Sequence, residues 1–374
     1  MTAASKNQQG EIGVAVIGTG FGKKVHIPGL QAHSRTQVVA VYNRDLDKAK
    51  EIAQSNNIPH PSDNLTDILQ LPQVQAVTIS TPPFLHYEMA KQVLVAGKHL
   101  LLEKPVTLNV IQAKELYYLA KEKNLVATVD FEFRFVPGWL LFCELLAQGY
   151  VGKKRLITIN WFGSSRANPQ RAWNWYSQKD KGGGALGSLG SHTFDYIHWL
   201  FGEVHRINAH FTTAIPQRPD AQGELKSVNT DDTCMLMLEL ADGTPCQVSI
   251  SAVVFAPRTH AIEVYGDEGT LILASENQKD YVHGFRVWGA KAGKQLAEIE
   301  IPNRLNFPQN YADGRISGFI RVVDQWVQAI TSGESITPSL REGVYSQLLM
   351  DMSHESNETS NWVNVPSFDV LLSM

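Results

Sequence analysis

The chain has 374 residues, 43% of them hydrophobic, 9% aromatic and 19% charged, with a formal charge of −4. That length exceeds what one hydrophobic core usually serves, so two domains are expected, and the apolar content excludes bulk disorder. With 33 basic and 37 acidic side chains and no dense Lys/Arg run, nucleic acid and anionic membrane are poor partners, and no apolar run approaches the ~20 residues that cross a bilayer.

Residues 1–10 are polar, lack the apolar core of an export signal and read as a disordered lead. From Glu11 to Phe131 short β-branched runs alternate with longer amphipathic ones. Strands are expected at Ile12–Gly18, Gln37–Tyr42, Ala76–Ser80, His99–Leu102 and Val126–Phe131, and helices at Lys24–His33, Leu46–Ser55, Leu85–Ala96 and Val110–Asn124. Such alternation implies an α/β fold whose first domain, over 11–131, is a doubly wound parallel sheet with right-handed crossovers. After Pro137 the rhythm changes. A helix at Trp139–Gln148 precedes alternating runs at Arg155–Phe162, Val204–Thr213, Thr233–Leu240, Gln247–Val254 and Ala261–Tyr265, with one helix near His192–Phe201 between them. Residues 132–374 are therefore read as an α+β domain with an open, mostly antiparallel sheet, closed by helices at Ile316–Ile330 and Leu340–Met352. Cys143, Cys234 and Cys246 form neither a CxxC pair nor a cluster with histidine, and are expected to be reduced thiols of a cytoplasmic protein with no metal site.

The first strand runs into Gly18-Thr19-Gly20-Phe21-Gly22-Lys23 before a helix, where a dinucleotide fold needs a tight turn and a backbone close to a pyrophosphate. The third position of the pattern, which packs helix against strand, falls on Lys23, with Gly22 one place early. The second strand ends in Asn43-Arg44 where an NAD site usually carries an acidic residue. Without a carboxylate to repel a 2′-phosphate, and with an arginine to bind one, NADP is preferred over NAD, although Asn43 can bond the ribose of either.

Beyond the glycine turn, the chain carries Ser80-Thr81-Pro82-Pro83 followed by His86, Glu103-Lys104-Pro105 after the fifth strand, and Phe133-Arg134-Phe135 with Pro137. Further on come Gly182-Gly183-Gly184 leading to Gly190-Ser191-His192 and Asp195, and Tyr265-Gly266-Asp267-Glu268-Gly269. In this order, over nearly the whole chain, the motifs resemble the glucose-fructose oxidoreductase / inositol dehydrogenase / rhizopine catabolism family. The resemblance implies a Rossmann domain, an open-sheeted second domain, and hydride transfer between NAD(P) and a secondary hydroxyl or carbonyl of a sugar, inositol-like polyol or sugar derivative. It places Ser80, Thr81, Pro82, His86 and Glu103 at the cofactor. Lys104 stands beside the nicotinamide and the reacting carbinol, where a donor stabilises the oxygen that gains charge as hydride leaves.

His192 is the candidate general base, eight residues past the glycine triplet (184 to 192), and Asp195, three residues on, is expected to orient it or to bind a substrate hydroxyl. The family pattern carries an aspartate four residues before the histidine, and position 188 is Ser188. Either Lys104 and His192 suffice, another carboxylate substitutes, or activity is weakened toward a nucleotide- and ligand-sensing regulator, the alternative to an enzyme. Trp161, Arg166, Trp173, Trp175 and Tyr176 are the expected substrate wall, since indoles stack on sugar C–H faces and arginine binds hydroxyls or a carboxylate. Arg134 is assigned to the domain junction. An open sheet face calls for a homodimer or homotetramer.

Overall fold

The computed structural model describes residues 10–257, 260–277, 280 and 282–373, so the lead expected over 1–10 lies, but for Gly10, outside the described residues. In the first half, β1 (Ile12–Ile17) is buried along its whole length, as a strand covered on both faces by helices must be. It is followed by α1 (Ile27–Ala32), β2 (Thr36–Tyr42), α2 (Leu46–Asn56), β3 (His60–Ser62), α3 (Leu65–Gln70), β4 (Ala76–Ile79), α4 (His86–Val95), β5 (His99–Leu102), α5 (Val110–Glu122) and β6 (Ala127–Val129). The strands pair in parallel in the order β3-β2-β1-β4-β5-β6. The order reverses direction between β1 and β4, and the crevice beyond their carboxyl ends is where such sheets bind ligands.

The second half begins with a 3₁₀ turn at Glu132–Phe135 and α6 (Pro137–Ala147), then β7 (Lys154–Phe162) and α7 (Ser191–Phe201). Then come β8 (Val204–Thr212), β9 (Gln217–Pro219), β10 (Leu225–Ser227), β11 (Thr233–Leu240), β12 (Pro245–Ser251), β13 (His260–Gly266), β14 (Gly269–Ser275), β15 (Phe285–Lys291) and β16 (Ala297–Ile299). The chain finishes with α8 (Arg315–Ser332), α9 (Leu340–Thr359), β17 (Val363–Asn364) and α10 (Phe368–Ser373). Among the described residues the large sheet has the order β16-β15-β14-β13-β7-β12-β11-β8-β17, antiparallel except where β12 runs parallel to β7. In β11, Cys234, Leu236, Leu238 and Leu240 point into the core while Met235 and Met237 face out, the alternation of a sheet with one open face. The apolar face of α8, with Phe319, Val323 and Trp326 fully buried, packs into the core formed by Val14, Val16 and Ile27, so this late segment returns to the first sheet.

Candidate active site

The nucleotide end is built by the turn after β1. Gly18 has φ +94°, and a Cβ there would lie 2.7 Å from the Ser80 carbonyl carbon, so no side chain fits. A Cβ on Gly22 would stand 2.6 Å from Ser80 Oγ and 3.1 Å from Val16 Cγ1. Gly22, not Lys23, therefore makes the close packing of helix on strand. The helix expected from Lys24 opens two residues earlier with a π turn, Gly22–His26, whose wider loop takes up the one-residue offset in the glycine spacing. Lys23 points to solvent, 4.0 Å from Glu51. Ser80 Oγ donates to Gly18 O at 3.0 Å, locking the β4 loop against the glycine turn.

At the end of β2 the Asn43 amide donates to Thr19 Oγ1, and its carbonyl accepts the Asp45 N–H at 2.9 Å. Both ends of Asn43 thus brace the first two loops, leaving exposed Arg44 as the cation beside them. A cavity of about 710 Å³ begins here. Its walls include Gly18, Thr19, Gly20 and Phe21, then Asn43 and Arg44, then Ser80, Thr81 and Pro82, and it ends at Glu103, Lys104, Trp175 and Ser188. His86 lies outside this wall: its Nδ1 is 2.8 Å from Pro105 O and its Nε2 2.8 Å from Thr81 O, so it staples the loops after β4 and β5 from behind.

At the far end β5 delivers Glu103 and Lys104, and the Lys104–Pro105 peptide is cis. Lys104 Nζ donates to Ser188 O at 3.4 Å. Glu103 is buried behind it, with Oε1 3.1 Å from His26 Nε2. Burial works against its charge, yet the hydrogen bond with His26 and the charge of Lys104 hold its carboxyl below the usual range. Asp130, 3.8 Å from the same His26 nitrogen, is pushed well up by burial and then by Glu103 and Glu132.

A second π turn, Leu186–Gly190, runs into α7 and carries His192 into the interior, and Asp231 anchors its start by accepting the Leu186 N–H at 2.7 Å. His192 is 3% exposed, its ring packed edge-on to Phe133 at 4.9 Å. Burial, then Lys104 and His260, drives its imidazole well below its ordinary pKa, so it is neutral at physiological pH. Its Nε2 lies 3.8 Å from Glu132 Oε2. Glu132 was not singled out from the sequence. Its one signal there is a carboxylate inside the otherwise apolar and aromatic run Phe131-Glu132-Phe133.

The remaining expected site residues divide. Ser188 lines the cavity, with its hydroxyl bonded to Gly184 O and to Tyr176 Oη, each at 2.9 Å. Arg166 lies behind that wall, its guanidinium 3.6 Å from the centre of the Tyr176 ring, where burial lowers its pKa to about 10. Trp175 is on the wall, but Trp173 donates Nε1–H to Ser227 O at 2.9 Å and anchors the β9–β10 hairpin instead. Trp161 stacks on His260 at 4.2 Å. Asp195 neither orients His192 nor faces the cleft: both of its oxygens are taken by Arg134, at 2.6 and 2.9 Å, because α7 aims it at the 3₁₀ turn.

Residues 12–131 match the model of the oxidoreductase family NAD-binding Rossmann fold, and residues 143–365 that of the oxidoreductase family C-terminal alpha/beta domain. The chain is 54% identical over 361 residues to an "uncharacterized oxidoreductase" of Synechocystis sp., covering 96% of this chain and 97% of that one. It is 27% identical over 394 residues to levoglucosan dehydrogenase of Pseudarthrobacter phenanthrenivorans, covering 95% and 98%. A solved structure of levoglucosan dehydrogenase in complex with NADH and L-sorbose superimposes with a TM-score of 0.88 at 25% identity, over 96% of this chain and 100% of that one. Both halves that build the cavity thus match the two family models in order, and the chain belongs to the glucose-fructose oxidoreductase / inositol dehydrogenase / rhizopine catabolism family of oxidoreductases.

Proposed function

We propose that this oxidoreductase moves hydride between NADP(H), preferred over NAD(H), and a secondary hydroxyl or carbonyl of a sugar, polyol or sugar derivative, within a homodimer or homotetramer in the cytoplasm. The observation that carries the reading is the continuous cavity, which runs from the glycine turn to Lys104 and then to Trp175 and Ser188 of the second half. A Cβ on Gly20 would meet no atom within 4 Å, so the turn leaves room for a phosphate at the start of the helical segment. The Gly18–Gly22 turn would hold the pyrophosphate, Asn43 and Arg44 the adenosine ribose and its 2′-phosphate, and Ser80, Thr81, Pro82, Glu103 and Lys104 the nicotinamide end. Bound there, the cofactor supplies the hydride acceptor or donor.

Lys104 donates to the substrate oxygen as charge develops on it, the kind of preorganised stabilisation that dominates many active sites. His192, held neutral, is the base that takes the hydroxyl proton. The levoglucosan dehydrogenase relative, crystallised with NADH and sugar ligands, supports the substrate class. The enzyme reading is favoured over the sensor because Lys104 lines the cavity that the sensor would need only for binding. The free thiols Cys143, Cys234 and Cys246 suit a reducing compartment. Absorbance at 340 nm across a panel of sugars and polyols with each cofactor tests the proposal. Cofactor binding with no turnover of any sugar, polyol or related carbonyl would overturn it.

A further inference from the structure

Ser188 leaves the site short of a negative charge, since its hydroxyl is bound by Gly184 and Tyr176 and cannot ionise beside an imidazole. The fold brings one from elsewhere. Glu132, on the 3₁₀ turn after β6, is 5% exposed and presents Oε2 3.8 Å from His192 Nε2. The ion pair of Arg134 with Asp195 ties that turn to α7 two residues from Glu132 and three from His192, so the approach is fixed from both sides. His192 Nδ1 is buried with no hydrogen-bond partner among the described residues, which leaves Nε2 as the nitrogen that exchanges a proton.

We propose that Glu132 replaces the carboxylate that position 188 lacks, taking up through His192 the proton released when the substrate hydroxyl is oxidised. The inference rests on the dehydrogenase reading above. In that oxidation the carbinol C–H pair leaves as hydride to the oxidised cofactor, and the O–H pair becomes the second C–O bond. The hydroxyl proton passes to His192 Nε2, the nitrogen that faces Glu132, and from there to the Glu132 carboxylate. Reduction of a carbonyl runs the same path backwards. Glu132 acts through His192 and need not touch the substrate.

The electrostatics agree in direction. Burial pushes Glu132 up, to about 7, with Lys104 pulling it down and Glu103 pushing it further up. His192, driven down by burial and by Lys104, holds a proton less firmly than Glu132, so the relay runs downhill. The charged and titratable groups facing Glu132 are Lys104 and Glu103 from the end of β5, Asp130 from the end of β6, Arg315 from α8 and His192 from α7. Oxidation needs Glu132 ionised and rises as pH climbs through about 7, whereas carbonyl reduction needs it protonated and falls over the same range.

The test is Glu132→Gln, nearly isosteric. Turnover of the substrate found at 340 nm should drop about 10²-fold or more, as expected for loss of an acid–base group, and the pH limb near neutrality should vanish. Cofactor affinity by fluorescence titration should stay unchanged. Adding Ser188→Asp to Glu132→Gln should recover part of the turnover and a pH limb, which a merely structural role for Glu132 would not allow. If the glutamine variant fails to fold, Glu132→Asp keeps the charge and should retain a pH limb at lower rate. Infrared difference spectra of the free protein, wild type minus Glu132→Gln, should reveal a carboxyl that deprotonates around pH 7. Wild-type turnover and pH profile retained in Glu132→Gln, or no such carboxyl in the difference spectra, would overturn the inference. A wild type inactive on every candidate would instead overturn the dehydrogenase reading, leaving the infrared titration to judge Glu132.

Discussion

Lys104 stands with Glu103 at the far end of the cavity, its ammonium 3.4 Å from Ser188 O. Lys104→Met keeps much of the side-chain volume and removes the donor. Turnover should fall about 10²–10³-fold, as loss of one oxyanion donor does, while calorimetric titration should show that NADP(H) still binds. Asn43 governs the other end. Asn43→Asp should move preference from NADP to NAD, since a carboxylate accepts from the ribose hydroxyls and repels the 2′-phosphate, and the new oxygen can still accept from Thr19 Oγ1 and Asp45 N. Titrating both cofactors into both proteins decides it, and a wild type that binds NAD far more tightly than NADP would contradict the expectation. Lys104 could be read from the chain because its motif is local, three residues in a row. Glu132 could not, because its meaning lies in a contact with His192, 60 positions away (132 to 192), that only the packing of α7 on the 3₁₀ turn creates. For the same reason the sequence points Asp195 at the histidine three residues before it or at a substrate hydroxyl, when its partner is Arg134 on another element.

Elements with a strong period were legible and those held by context were not. β1, β2 and α5 carry enough consecutive apolar or amphipathic residues to declare themselves. β3, with three half-buried residues and a proline, exists because β2 offers it a free edge, and among the described residues β9 and β10 pair with each other alone. The π turns at Gly22–His26 and Leu186–Gly190 leave no periodic signature, yet they set the register of the cofactor turn and of His192. The clamp between the 3₁₀ turn and α7 can be tested at this scale. Arg134 and Asp195 are almost wholly buried, and burial lifts the Asp195 carboxyl to about 6 even beside the guanidinium, so the pair fixes geometry more than it adds stability. Asp195→Ala leaves the Arg134 charge buried without its carboxylate and should cost about 3–5 kcal/mol, read as a lower urea midpoint at unchanged slope. Because the clamp spaces Glu132 from His192, turnover should fall further than cofactor affinity.

At the scale of the whole molecule the two sheets do different work. The parallel sheet is covered on both faces, whereas among the described residues the helices that back the large sheet, α6, α7 and α9, lie on one side. On its other side the registers align Met235 with Ser249 and Asn160, and Met237 with Gln247 and Thr158, while Leu156 lies opposite Tyr265 two residues along the same strand from Thr158. Met235 and Met237 are 53% and 50% exposed, and Leu156 is 39% exposed. Three apolar side chains on one continuous flat face are a surface that a second copy can cover by two-fold symmetry, each methionine pair meeting its own counterpart or a near neighbour. Light scattering across a tenfold dilution at micromolar concentration should give at least twice the monomer mass throughout. The double substitution Met235→Lys/Met237→Lys should break that assembly, because symmetry brings the new like charges together. It should change the stability of the isolated subunit little, since both side chains are solvent-facing there. A wild type that is monomeric under these conditions, or a lysine variant whose mass is unaltered, would show that this face is not the contact.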